Sequence, residues 1–293
     1  MFGWRLRNVK IYDWDQNKNT VKEFYYQKFI IDLMNIKQIF EKVKKSRRNN
    51  LTEKESRQLL EYYDIPVVKG EIAKSIESAK KFIEKVGYPV VLKVVSRQVI
   101  HKTDAGGVKL NVRNEKELIE GYHEIVKNIE KNVPNATIDG IFVQEMVSGT
   151  EVIIGGKKDP TFGQTIAFGL GGIFVEIFKD VSFRVTPITK EDALKMIKEI
   201  KSYKILEGYR GSEPANIDAL VDLLLKTSKL LEENPEIKEL DINPVFAMTD
   251  RAVAADARMI IEWIYAQLES TSSVQFFPFN YLDFYHLQSR IIR

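Results

Sequence analysis

The residues that most constrain this chain run from Pro89 to Lys109. Pro89-Val90-Val91-Leu92-Lys93-Val94-Val95 is a short, β-branched apolar run, which predicts a buried strand with a lysine in its middle. A buried ammonium is costly unless an anion meets it. The loop that follows, Ser96 to Gly107, holds Arg97, His101, Lys102 and the pair Gly106-Gly107, and Val108 to Val112 then alternates as a returning strand. A basic, glycine-bearing loop between two strands suits a polyphosphate. Glycine lets backbone N–H groups approach oxygens, and lysine neutralises their charge. A snorkelling lysine followed by an ordinary Gly-Gly turn fits the same residues, so this stretch alone leaves both readings open.

The rest of the chain narrows the choice. Its 293 residues, 44% hydrophobic and 29% charged, allow one large or two medium soluble domains. No apolar run approaches the ~18 residues that span a bilayer. Met1 to Arg7 lacks the apolar core of a signal peptide, so a cytoplasmic home and no membrane partner are expected. The absence of cysteine excludes disulfides, thiolate metal sites and thiol nucleophiles, and three histidines make a histidine-rich metal site implausible. Residues 1–50 carry twelve Lys or Arg against five Asp or Glu, in a chain whose net charge is only +3. The basic run Lys44 to Arg48 reads as a solvated linker, and no nucleic-acid partner is expected.

Strands and helices alternate along the chain, which argues for an α+β or α/β architecture. Ile36, Ile39, Phe40 and Val43 recur at helical spacing. Thr52 and Glu55 form a capping box for a helix through Leu59, Leu60 and Tyr63 that stops before Ile65-Pro66. Val67-Val68 reads as a strand. Ser75–Val86 and Glu115–Lys131 read as amphipathic helices. Further strands are expected at Ile141–Glu145, Glu151–Gly155, Thr165–Phe168, Val175–Phe178 and Phe183–Val185, with a loop at Lys157–Pro160. Helices at Thr189–Ile200 and Asp218–Glu233 follow, then a strand Ile237–Ile242 ended by Asn243-Pro244 and a last strand Val253–Arg258. The glycine-rich Gly169-Leu170-Gly171-Gly172 matches no dinucleotide-binding spacing.

Three further clusters carry chemistry. Gln144-Glu145-Met146-Val147 offers an extended edge whose backbone donors and acceptors can read adenine, and Glu151 can accept from ribose hydroxyls; an ordinary strand-turn-strand is the bland alternative. Asp241 and Asn243, two apart on a strand, share one face. With Asp256 they make a hard oxygen set suited to Mg²⁺. Asp256 lies between two alanines and needs a partner. Arg184 is placed either to clamp a terminal phosphate or to make a structural ion pair.

This order of motifs resembles the ATP-grasp fold, an α+β fold of two lobes with the nucleotide in the cleft between them. His101-Lys102-Thr103-Asp104-Ala105-Gly106-Gly107-Val108, Phe168-Gly169-Leu170-Gly171-Gly172 and Glu239-Leu240-Asp241-Ile242-Asn243-Pro244 look like the β subunit of ADP-forming acetyl-CoA (acyl-CoA) synthetase, with the succinyl-CoA synthetase β subunit a more distant relative. The resemblance spans about Met34 to Glu262. It implies lobes at 34–146 and 147–262, flanked by extensions at 1–33 and 263–293 whose role it does not give. It implies the reaction acyl-CoA + ADP + phosphate ⇌ acid + ATP + CoA, with ATP or ADP and Mg²⁺ as cofactors. The partner would be a CoA-binding α subunit, in a heterotetramer of two of each chain. It implies His101 as a phosphoryl relay, with Arg184 as a weaker catalytic candidate. Lys93, Lys102, Gly106 and Gly107 would hold phosphates, Gln144, Glu145, Met146, Val147 and Glu151 the nucleoside, and Asp241, Asn243 and Asp256 the metal. Arg57 stands where many relatives of that fold have a second phosphate-binding lysine. A stand-alone ATP-grasp carboxylate–amine ligase and a non-catalytic ATP-binding module are the alternatives.

Overall fold

The structure is a computed structural model that describes residues 36–262 except 97, 100, 101, 173–179 and 210–212. Its first sheet comprises β1 (Gly70–Ala73), β2 (Val90–Val95), β3 (Val108–Val112) and β4 (Gly140–Glu145), in the antiparallel order β1-β4-β2-β3. Helices α3 (Ile76–Val86) and α4 (Glu115–Asn132), capped by Ser75 and Asn114, cover one face. Their residues Phe82, Ile83, Leu118, Ile125 and Ile129 join Val90, Leu92, Val94, Ile141 and Val143 in one buried cluster. Strand alternation therefore turns Val91, Lys93, Phe142 and Gln144 to the opposite face.

The second sheet comprises β5 (Thr150–Asp159), β6 (Gly163–Leu170), β7 (Val181–Val185), β8 (Ile237–Ala247), β9 (Ala252–Ala254) and β10 (Ala257–Ile261), in the order β10-β8-β5-β6-β7 with β9 also pairing β8. Helices α5 (Lys190–Glu199) and α7 (Ile217–Glu233) pack on each other and on this sheet, and the one-turn α6 (Tyr203–Leu206) lies between them in sequence. Gly156 permits the approach: a Cβ there would stand 2.7 Å from the Leu231 methyls of α7. The face carrying Val152, Ile154 and Gly156 is thus the covered one. The other carries Glu151, Ile153 and Gly155, with Asp241 beside Gly155.

Several elements differ from their sequence expectation. β5 runs through the polar Lys157-Lys158-Asp159 because Lys158 turns to Glu262 (3.9 Å) and Lys157 stays in solvent. The turn comes later, where the Asp159 carboxylate accepts the N–H groups of Thr161 (2.8 Å) and Phe162 (2.9 Å). β8 does not stop at Asn243-Pro244. The register with β5 shifts between Val152 and Ile154, next to the proline, so the missing N–H falls where the ladder is already interrupted. The peptide between Asn243 and Pro244 is cis. The last expected strand is two, β9 and β10, with Ala255 and Asp256 at the corner between them. Val67 forms only an isolated bridge to Ala254, and the strand begins three residues later. The expected strand at Val175–Phe178 lies outside the described residues. Its intended partner, Phe183–Val185, is part of β7 and pairs with β6.

The segment before β1 holds a helix over 36–45, called α1, and α2 (Glu53–Tyr62). Although it precedes the first sheet in sequence, backbone hydrogen bonds tie it to the second. Leu51 N donates to Met259 O (3.1 Å), Ile261 N to Asn49 O (2.7 Å), and Val68 N to Ala254 O (3.0 Å). Residues 49–68, expected in the first lobe, thus make their backbone pairs with β9 and β10.

Glu55, within α2, is almost fully buried. Its carboxylate accepts two bonds from Arg48 (3.0 and 3.1 Å) and one from the Thr52 N–H (2.9 Å). Burial alone would raise its pKa, but the Arg48 and Thr52 hydrogen bonds outweigh burial and hold it at about 2, against an ordinary 4.5. A depressed folded-state pKa gives stability that is fully present above pH 4.5 and fades as pH falls toward 2. Glu55→Gln is expected to cost about 2–3 kcal/mol at pH 7 and much less near pH 2.5, read by urea unfolding at the two pH values. An equal loss at both would disprove the linkage.

Candidate nucleotide and phosphoryl-transfer site

The strand lysine has its anion. Lys93 Nζ lies 3.9 Å from Asp256 Oδ2 and donates to Ala255 O at 3.4 Å, across the seam between the two sheets. Asp256 is held by its own corner: Oδ1 accepts the Ala257 N–H (2.8 Å), and its backbone oxygen accepts the Asn243 N–H (3.2 Å). Burial pushes the Asp256 carboxyl up, Lys93 and Lys102 pull it down, and Glu53 pushes it up again. Asp241, on the open face of β8, is likewise raised by burial and by Asp256, with Arg258 opposing. Asp241 and Asn243 share the exposed side of β8, and Asn243 bonds the corner that bears Asp256. Lys93, Asp241, Asn243 and Asp256 therefore meet in one region.

Lys102 also arrives there, paired with Glu53 on the first turn of α2. Glu53, Arg57, Val67, Ala255 and Asp256 line a small pocket at the seam. The glycines act differently from their expected role as a cradle of free donors. Gly106 N donates to Thr103 O (3.0 Å) and Gly107 N to Lys102 O (2.7 Å), so both N–H groups close the turn. Gly106 has φ +70, and a Cβ on Gly107 would stand 2.5 Å from Val94 Cγ1. The pair lets the loop fold back onto β2.

The hinge residues cross the seam at the end of β4. Gln144 is buried on the same face as Lys93, and its Oε1 has no partner among the described residues. The Glu145 and Met146 N–H groups are committed to Lys69 O (2.9 Å) and Pro89 O (3.2 Å), and Glu145 Oε1 accepts the Lys69 N–H (2.7 Å). Val147 packs with Val68, Val253 and Ala255. Glu151 stands exposed on the open face of β5, its backbone oxygen bonded to Gly171 N (2.8 Å). These residues border the cluster; the Glu145 and Met146 N–H groups are used inside the fold, while the buried Gln144 side-chain Oε1 has no partner among the described residues.

Arg184 is not brought to the cluster. Its guanidinium makes a two-pronged pair with Glu199 of α5 (2.7 and 2.8 Å). Register links Arg184 through Ile166 and Gly156 to Leu240, three strands away from β8, roughly 14 Å at ordinary strand spacing. It serves as a strut between β7 and α5, away from the cluster where a phosphate clamp is expected of it. His101 lies outside the described residues.

A family model described as an ATP-grasp domain matches residues 42–261. The β subunit of ADP-forming acetate–CoA ligase I from Pyrococcus furiosus is 53% identical over 226 residues, covering 77% of this chain and 97% of that one. The dinucleotide forming acetyl-coenzyme A synthetase 1 of Ca. Korarchaeum cryptofilum, solved with coenzyme A, Ca-AMPCP and HgCl+, matches with a TM-score of 0.74 at 49% identity, over 77% of this chain and 99% of that chain. The ADP-forming acetate–CoA ligase I of Archaeoglobus fulgidus is 50% identical over 204 residues, 69% of this chain but only 30% of that longer one.

The chain belongs to the ATP-grasp family of ADP-forming acetate–CoA ligase β subunits.

Two features of this ATP-grasp chain were not legible beforehand. Glu53 reads in sequence as a first-turn acid beside a capping box, and nothing there tells that it meets a lysine 49 residues later. Arg57 donates to Val68 O, pairs with Glu61 (3.3 Å) and lies 5.6 Å over the Phe142 ring. It links α2 to β4 instead of standing free for a phosphate. Two carboxylates with raised pKa beside an amide oxygen form a hard set short of cationic charge, which Mg²⁺ would supply. Among the described residues no three acidic or histidine side chains form a metal cage, so phosphate and water oxygens would complete the shell.

Proposed function

We propose that this chain is the nucleotide-binding subunit of an ADP-forming acyl-CoA synthetase, an acid–thiol ligase: acyl-CoA + ADP + phosphate ⇌ acid + ATP + CoA. The observation that carries the reading is the 3.9 Å approach of Lys93 to Asp256 across the seam, in a chain about half identical to β subunits of that enzyme. Lys93 balances charge on the nucleotide phosphates, and Asp241, Asn243 and Asp256 would hold Mg²⁺, which would supply Lewis-acid stabilisation of phosphoryl charge. Gln144 to Val147 and Glu151 bound the nucleoside. The partner subunit converts acyl-CoA and phosphate to an acyl phosphate and CoA, then passes the phosphoryl group to a histidine of its own with release of the acid; His101 takes it as that P–N bond breaks and yields it to the terminal oxygen of ADP, giving ATP and free imidazole. Supporting this, a structure of the Korarchaeum synthetase is described with Mg-AMPPCP and a phosphohistidine segment pointing towards the nucleotide binding site.

The relatives named as β subunits support a CoA-binding α partner, and the longer Archaeoglobus chain accommodates further domains in one polypeptide. We place the complex in the cytoplasm as a heterotetramer of two of each chain; among the described residues no helix is long and apolar enough to cross a membrane. The test is ATP formation from ADP, phosphate, Mg²⁺ and acetyl-CoA. Activity is expected with the partner subunit and none with this chain alone. Turnover by this chain alone on a carboxylate and an amine would overturn the proposal in favour of a stand-alone ligase.

A further inference from the structure

The loop between β2 and β3 is fixed at its C-terminal end from two directions. Asn128 and Asn132, four apart on one side of α4, donate from Nδ2 to Gly106 O and Ala105 O, both at 3.1 Å. These bonds tie the loop to the first sheet. From the other direction, Lys102 leaves the loop to pair with the Glu53 carboxylate. Glu53 belongs to α2, whose flanking residues are hydrogen-bonded to β9 and β10. The Glu53–Lys102 pair thus crosses the seam, beside the Lys93–Asp256 pair that crosses it too.

Glu53 is not needed for the helix itself. Thr52 and Glu55 complete the capping box between them. Each partner of the Glu53–Lys102 pair keeps 23% of its side-chain surface exposed. Partly solvated pairs contribute little to stability, with a median of about 0–1 kcal/mol. What this pair does control is distance: it sets where the loop base lies relative to Asp256, whose carboxyl feels both Glu53 and Lys102. Phosphoryl transfer is sensitive to such placement, since a shift of about 1 Å can cost on the order of 10²-fold in rate.

We infer that Glu53 is a positioning residue for phosphoryl transfer: through Lys102 it holds the base of the β2–β3 loop in register with Lys93 and Asp256. The inference rests on the relay reading of that loop given above. It is tested with Glu53→Gln and Glu53→Asp chains assembled with the partner subunit. For Glu53→Gln the kcat of ATP formation is expected to fall about tenfold or more, with KM for ADP within about twofold and an unchanged melting temperature. Glu53→Asp, which keeps the charge while the flexible Lys102 stem takes up the missing methylene, is expected to recover part of the rate. A Glu53→Gln kcat within twofold of the parent, an Asp variant no better than Gln, or a rate loss matched by lost thermal stability would each overturn it. The relay reading is judged separately, by whether a His101→Ala chain still takes label from phosphate. Loss of label there, with parental kinetics in the Glu53 variants, removes this inference alone.

Discussion

Replacing His101 by Ala is expected to abolish ATP formation, with a fall of at least about 10⁴-fold, while ADP binding stays within about twofold. The β2–β3 loop holds, at His101, a group that can be a nucleophile towards phosphorus near neutral pH and also a leaving group afterwards. That group is an imidazole, with a reference pKa of about 6.5. By their reference pKa values, lysine and arginine carry their proton near neutral pH and offer no lone pair. The measurement is incorporation of radiolabelled phosphate into this chain in the presence of partner and acetyl-CoA, followed by discharge to ADP. Label retained at the parental level on the His101→Ala chain would exclude the relay. Because removing a nucleophile leaves the nucleotide site intact, ADP affinity by calorimetry separates this outcome from a general failure to bind.

Lys93→Met is expected to weaken ADP binding by about 10- to 100-fold and to lower ATP formation by about 10²- to 10³-fold, with the fold retained. Methionine keeps the length and much of the packing of the stem on β2, so the loss is of charge alone. The Lys93 side chain is only 12% exposed, and its ammonium stands next to Asp256. Poor screening makes each unit of charge there count for more than at the surface. Without the lysine, the Asp256 carboxyl, already raised by burial, loses the first of the two cations that favour its charged form. Affinity within twofold of the parent would show that the ammonium faces Asp256 only as a structural counter-ion.

The residues of this site were unevenly legible in the sequence. Lys93 announced itself because a charge in a β-branched strand is anomalous, and Asp256 because it interrupts a run of alanines. Their meeting then follows from the cost of burying either alone. Arg184 looked equally purposeful and is a strut to Glu199, because an arginine on an edge strand is satisfied by whichever carboxylate the neighbouring helix presents. Asn243-Pro244 looked like a strand end and lies inside β8, because a local register shift excuses the absent N–H. Gly106-Gly107 reads in sequence as a phosphate cradle, and in the fold its N–H groups close a turn onto Thr103 and Lys102.

By itself the sequence determined the elements with strong periodicity, the helices over 76–86, 115–132 and 217–233 and the strands over 90–95 and 108–112, since apolar spacing dictates which face each must bury. It also determined the cationic loop and the acidic hairpin. Only the tertiary structure decided that α2 pairs its flanks with the second sheet while its residues Glu53 and Arg57 face Lys102 and Phe142 of the first. The reason is general: an amphipathic pattern states that a face must be covered, and carries no record of which surface, 49 residues or 200 away, will cover it.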